Sequence, residues 1–207
     1  MKASWLRRRW QPLKTWLSRA GGARVVGGFV GGDGEFLPDT RLSNTCAIDA
    51  PGQLQIGDHV FVGHFCVLDA SGGLRIGEGC QLSTGAAVFT HSSHVAIRLY
   101  GRAYARSAEK HAYFAVPVEI GDYSFIGVRA TLLPGTRLGR GCLVAAHSLV
   151  KGSFPDFSFI GGNPAQVLGD TRTMDAAHLA AHPELLSHYE AWAGRGALAG
   201  APRARGR

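Results

Sequence analysis

Residues 118–169 read VEIGDYSFIGVRATLLPGTRLGRGCLVAAHSLVKGSFPDFSFIGGNPAQVLG, and a register of six runs through nearly all of this stretch. Ile120, Ile126, Leu132, Leu138, Val144 and Val150 recur at every sixth position, and Gly121, Gly127, Gly139 and Ala145 directly follow four of them. Ser124, Ala130, Thr136, Cys142 and Ser148 stand four positions after the first five aliphatics. A helix repeats near 3.6 and a half-buried strand at about 2, so neither gives one large and one small slot in every six residues. A coil with three short flat sides does. The aliphatic points into a narrow interior, the small residue fits a crowded corner, and glycine lets the backbone turn and approach its neighbour. Stacked coils then bury a continuous core that no single coil could bury alone.

Upstream, Phe36, Leu42 and Ile48 begin the same register, which slips by two at Leu54, continues through Ile56, Val62 and Leu68, slips by two again between Leu74 and Ile76, and ends with Leu82 and Val88. It resumes only at Ile120. The interval, residues 91–117, reads HSSHVAIRLYGRAYARSAEKHAYFAVP and is rich in Arg, Tyr and His. An excursion this long from a regular scaffold marks function. Downstream of Gly169, Thr173 can N-cap a short helix and Pro183 can start another that runs to about Trp192, the two covering the last coil. The reading is an all-β chain: a basic segment over 1–24, a β-helix over 25–170 with its excursion at 91–117, a helical cap over 171–193, and a tail over 194–207 expected to be disordered.

The formal charge of +7 suggests nucleic acid until it is located. Lys2, Arg7, Arg8, Arg9, Lys14 and Arg19 stand among the first twenty residues without an acid, so the remainder is nearly neutral and no nucleic-acid partner is expected. From Leu6, the apolar Trp10, Leu13 and Leu17 fall on one helical face, interrupted by Pro12. That face can cap the open end of the coil stack or rest on an anionic membrane surface. No apolar run reaches 18 residues and the N-terminus lacks a secretory apolar core, so the chain is expected in the cytoplasm, with peripheral membrane contact through residues 1–20. Cys46, Cys66, Cys80 and Cys142 show no CxxC spacing and occupy small corner slots, which makes them structural thiols.

Over roughly residues 36–170 the chain resembles the hexapeptide-repeat acyltransferases, whose fold is a left-handed parallel β-helix. FIG, LLPGTRLGRG, LVAAHSLV and FIGGNPAQVLG look most like the sugar and polysaccharide O-acetyltransferases of the galactoside and maltose type. The resemblance implies a homotrimer with its site between subunits, acetyl-CoA as co-substrate, no resident metal, and direct transfer without an acyl-enzyme. It places the coenzyme against Gly127, Val128, Ala145, Ala146, Gly162, Asn163 and Pro164, with Lys151 at a phosphate and Arg172 in reserve. Phe125 replaces the family's common Trp, and Lys151-Gly152 its Thr-Lys pair.

Acyl transfer to a hydroxyl needs a base, and histidine, ordinarily near pKa 6.5, suits neutral pH. The family sets its base where a coil opens into the long loop. Here that point is Thr90-His91-Ser92-Ser93-His94, with His91 as the base, His94 as its follower, and His94 the competing choice. His59, His64 and His147 fall within regular coils and read as outward surface residues. Arg98, Tyr100, Arg102, Tyr104, Arg106 and Tyr113 offer stacking faces and forked donors that suit a sugar or an anionic glycan, with His111 a further candidate contact; the other reading is a solvated arm that packs on the neighbouring subunit. Two other classes share the repeat: a trimeric zinc carbonic anhydrase using His59, His64 and His91, and a β-helix scaffold without catalysis.

Overall fold

A computed structural model describes residues 21–200 together with Trp10 and Leu13. The six-residue register folds into a three-sided prism of parallel strands. The first sheet stacks Phe36–Ser43, Phe61–Val62, Gln81–Leu82, Phe125–Ile126, Leu143–Val144 and Ser158–Gly162. The second stacks Ala47–Asp49, Val67–Asp69, Ala87–Val88, Thr131–Leu132 and Leu149–Val150, and the third Leu54–Ile56, Leu74–Ile76, Val118–Ile120, Arg137–Leu138 and Ser153–Phe154.

Each sheet turns one aliphatic per coil inward. Val62, Leu82, Ile126 and Val144 form one fully buried column, and Leu68, Val88, Leu132 and Val150 another. The small slots are the corners. Ser124, Ala130, Thr136, Cys142 and Ser148 are all at most 2% exposed, and the hydroxyls of Ser124, Thr136 and Ser148 donate to nearby carbonyls, so no polar atom is buried alone there. The glycines after the aliphatics serve close approach: a Cβ at Gly127 would stand 2.6 Å from Ala146 N and Val144 O of the next coil.

The two register slips have one meaning. In the third sheet both ends of each early strand face inward, Leu54 with Ile56, Leu74 with Ile76, and Val118 with Ile120. The extra residues widen one edge of the prism, between the second and third sheets, at residues 49–53 and 69–73. The 91–117 excursion leaves from that same edge. Three irregularities in the sequence are therefore one place in space.

Antiparallel hairpins close both ends of the first sheet. Val25–Val30 pairs with Phe36–Ser43, and Ala165–Asp170 pairs with Ser158–Gly162 across a cis Asn163–Pro164 peptide. The last edge is thus covered by a strand, where the sequence suggested helices. Helix α1 (Ala96–Tyr100) lies in the excursion; helices α2 (Thr171–Ala181) and α3 (Leu186–Ala193) follow the hairpin. The N-cap of α2 is Asp170, whose carboxylate accepts from Arg172 N at 2.9 Å; Thr173 is already in the first turn, because the antiparallel strand carries the chain straight into the helix. These helices pack along the side of the prism, where Trp192 stacks on Tyr123 at 4.8 Å and meets Phe157 and Tyr189. Residues 197–200 form a 3-10 turn that sets Ala197 and Leu198 on the same aromatic cluster. The amphipathic reading of residues 1–20 lies outside the described residues, apart from Trp10 and Leu13, both exposed; residues 201–207 of the tail also lie outside them.

Candidate active site

At the widened edge, Asp69 ends the Val67–Asp69 strand and His91 follows the Ala87–Val88 strand stacked on it, so adjacent coils bring the two side chains together. His91 Nδ1 lies 2.7 Å from Asp69 Oδ2, and the carboxylate is only 2% exposed while the imidazole keeps 35%. The Asp69 oxygens accept further bonds from Thr90 N at 2.8 Å, Thr90 Oγ1 at 3.2 Å, His91 N at 3.2 Å, Ser71 N at 3.0 Å and Ser71 Oγ at 2.6 Å. Burial alone would push this carboxyl up. The bonds from Ser71, Thr90 and His91 outweigh it and hold the carboxyl well below the usual carboxylate range.

A carboxylate can only accept, so the proton between Asp69 and His91 belongs to Nδ1 in the neutral ring. Ser71 Oγ, 2.9 Å from Nδ1 and already donating to Asp69, shares it as an acceptor. Nε2 is left with its lone pair. Tyr113 stacks on the imidazole at 5.4 Å and 13°. The crossing of the chains depends on Gly72, whose N–H donates to Thr90 Oγ1 at 2.8 Å and where a Cβ would stand 2.5 Å from Thr90 O.

His94 sits differently. Its Nδ1 contacts Ser92 Oγ at 2.7 Å and its ring stacks on Phe114 at 5.7 Å, and no carboxylate of the described residues pairs with it. The excursion itself is ordered by the His91–Ser92 and Phe114–Ala115 pair, α1, and a 3-10 stretch over Gly101–Arg106. Arg98, Arg102 and His111 are exposed on it, Tyr100 Oη accepts from His111 N at 2.8 Å, and Tyr104 faces Lys110.

Most of the residues matched to the coenzyme gather elsewhere. Gly127, Val128, Ala145 and Ala146 turn the edge between the first and second sheets, and Gly162, whose N–H donates to Ser148 Oγ, brings Asn163 and Pro164 to the same line. That edge and the His91 edge bound opposite sides of the second sheet, so one chain does not bring them together. Lys151, exposed, follows Leu149–Val150 and lies on the His91 edge. Arg172 is engaged elsewhere, in a pair with Asp170 and over the Phe157 ring.

His59, His64 and His91 occupy three different edges of the prism. His64 Nδ1 meets Ser43 Oγ at 2.7 Å, and His59 neighbours Asp39 and Asp58. The cysteines are free, and burial pushes the Cys46 and Cys80 thiols up to about 12 and Cys142 to about 11, which removes them as nucleophiles at neutral pH. Asp69 and Ser71 are absent from the sequence reading; the slip after Leu68, one coil before the break at Val88, is the signal that locates them.

The family model for the hexapeptide repeat of succinyl-transferase matches residues 53–89 and 117–148. A probable acetyltransferase of Mycobacterium tuberculosis is 41% identical over 69 residues, 33% of this chain and 23% of that one. An Escherichia coli K12 protein named for O-acetyl transfer in lipopolysaccharide biosynthesis is 43% identical over 51 residues, 25% of this chain and 26% of its own. The chain thus spans about a quarter of the length of these relatives. A Vibrio cholerae hexapeptide-repeat acetyltransferase solved with acetyl coenzyme A superposes with a TM-score of 0.50 at 25% identity, over 60% of this chain and 64% of that one. The fold is the left-handed parallel β-helix, and the chain resembles the hexapeptide-repeat acetyltransferases.

Proposed function

We propose that this chain, similar in its repeat to the hexapeptide-repeat acetyltransferases, is an acetyl-CoA-dependent O-acyltransferase that acts on a sugar hydroxyl and uses His91 as its base. The observation that carries the reading is the Asp69–His91 pair, which fixes the proton on Nδ1 and leaves Nε2 free to accept. An acceptor hydroxyl donates to Nε2. As its oxygen attacks the thioester carbonyl, the proton passes to Nε2, and the buried Asp69 carboxylate stabilises the imidazolium that forms. The same proton then reaches the sulfur as the carbon–sulfur bond breaks. No cysteine is needed, in keeping with direct transfer.

The edge formed by Gly127, Val128, Ala145, Ala146 and Gly162–Pro164 is where the pantetheine arm would lie against backbone. That edge is across the second sheet from His91. The reading includes a homotrimer, in which one subunit's coenzyme edge would face the next subunit's base; Lys151, on the His91 edge, would then meet a coenzyme phosphate held by the neighbour. The name of the E. coli relative favours a glycan or its lipid-linked precursor as acceptor, and residues 1–20 would hold the enzyme at the inner face of the membrane.

Thiol release from acetyl-CoA over a panel of sugars and glycans tests this. His91→Ala should lower kcat by about 10²- to 10⁴-fold, the range of a general base, and His94→Ala by less than about tenfold. Equal activity in both variants removes the base assignment, and a wild type that neither binds nor turns over acyl-CoA removes the reaction.

A further inference from the structure

A cavity opens within the 91–117 excursion. It has a volume of about 550 Å³ and is lined by Tyr104, Ala105, Ala108, Lys110 and Tyr113. Tyr113 belongs to both places: its ring covers the imidazole of His91 and forms a wall of the cavity. The cavity and the His91 site therefore share one residue, Tyr113.

Lys110 supplies its charge. Nζ donates to Ser107 O at 2.8 Å and stands 5.0 Å from the Tyr104 ring centroid, so a carbonyl and an aromatic face hold the ammonium in place and leave donors for a ligand. None of the ion pairs formed by the described residues includes Lys110. Along residues 91–117, Arg98, Arg102, Arg106 and Lys110 face a single acid, Glu109, so the excursion carries excess positive charge although the chain beyond residue 20 is nearly neutral. Aromatic walls suit the apolar face of a sugar ring, and a placed ammonium suits an anion.

We infer that the acceptor carries an anionic group, a carboxylate or a phosphate, and that the Tyr104–Lys110–Tyr113 cavity binds it within one sugar unit of the hydroxyl presented to His91. The word acceptor rests on the acyltransferase reading; the binding site does not. Lys110 selects the acceptor and takes no part in proton transfer.

The test compares binding of glucuronate, glucose 6-phosphate and glucose to the full chain by calorimetry or saturation-transfer NMR, without acyl-CoA, so that it reports whether or not turnover is found. The anionic sugars should bind about tenfold or more tightly than glucose, as a charge-assisted contact requires. Glucuronate and glucose 6-phosphate together show whether carboxylate or phosphate is preferred. Lys110→Gln should erase the preference and Lys110→Arg restore most of it, with melting midpoints unchanged because Lys110 contacts only the excursion. In turnover, Lys110→Gln should raise KM for an anionic acceptor about tenfold or more while KM for acetyl-CoA stays as in wild type. Equal wild-type binding of glucose and both anions overturns the inference, even if a variant fails to fold. So does a preference that survives Lys110→Gln, or an effect of that change on acetyl-CoA affinity. Loss of turnover in His91→Ala with the binding preference intact bears on the reaction alone.

Discussion

Asp69→Asn is the most informative single change, because the six contacts of the carboxylate dictate how an amide must sit there. If the amide oxygen takes the place of Oδ2, it still accepts from Thr90 N, His91 N and His91 Nδ1, and the NH₂ falls against Ser71 N–H, 3.0 Å from the atom it replaces. The reverse orientation sets NH₂ against the N–H groups of Thr90 and His91 together, which is worse by one more donor clash. The first orientation should prevail, so Nδ1 keeps its proton and Nε2 stays a base. What is lost is the negative charge opposite the imidazolium. A charge-assisted bond contributes roughly 1.5–3 kcal/mol, so kcat should fall about 10- to 150-fold at about 1.4 kcal/mol per tenfold. The unmatched Ser71 N–H should cost up to about 1–3 kcal/mol of stability. The assay is thiol release at saturating acceptor and acetyl-CoA beside a thermal melt. A kcat within about threefold of wild type, well short of the contribution of a charged bond, would refute the argument that Asp69 positions and charges His91. A loss near 10⁴-fold would mean that the amide had turned over and reversed the tautomer.

The same residue sets an acid limit. Because the Asp69 carboxyl is lowered in the fold, its contribution to stability is complete above the unfolded carboxylate value, about 3.9, and is lost as pH falls below it towards the folded value. The melting gap between wild type and Asp69→Asn should therefore hold from pH 6 to about pH 4 and narrow below that; a gap that stays constant below about pH 4 would argue against the hydrogen-bonded carboxylate. Gly72→Ala puts a Cβ 2.5 Å from Thr90 O, a backbone atom that cannot swing away, so the Asp69 and His91 chains must part. Activity should drop by an amount comparable with Asp69→Asn while most of the fold survives, and full activity would exclude the close crossing. Gly127→Ala meets backbone at 2.6 Å on the edge between the first and second sheets and should lower stability by about 1–3 kcal/mol, the usual cost of overpacking; an unchanged melting midpoint would count against the coil spacing there. Leu132→Ala, at a fully buried position, should cost about 2–5 kcal/mol by chemical denaturation.

The separation of the two edges bears on assembly. If His91 is the base and the coenzyme lies along the edge between the first and second sheets, as proposed, the site is complete only where copies meet. Dilution should therefore reduce specific activity in step with dissociation.

The sequence by itself determined the architecture. A period of six with one large and one small slot has few solutions, since each residue's environment repeats coil after coil and every repetition adds to the signal. Ile126, Leu132 and Val144 are buried columns, and Ser124, Ala130 and Cys142 are corners, as their spacing requires. The break after Val88 likewise pointed to His91. The partners of His91 were decided only in three dimensions. Asp69 is 22 residues away, and its meaning depends on the number of residues per coil and on which edge absorbs the two extra ones. A carboxylate at the end of a short strand reads as solvent-facing until a neighbouring coil lays two N–H groups and an imidazole against it. Periodicity records what each coil shares; a site is built from what one coil does differently, and its geometry exists only once the coils are stacked.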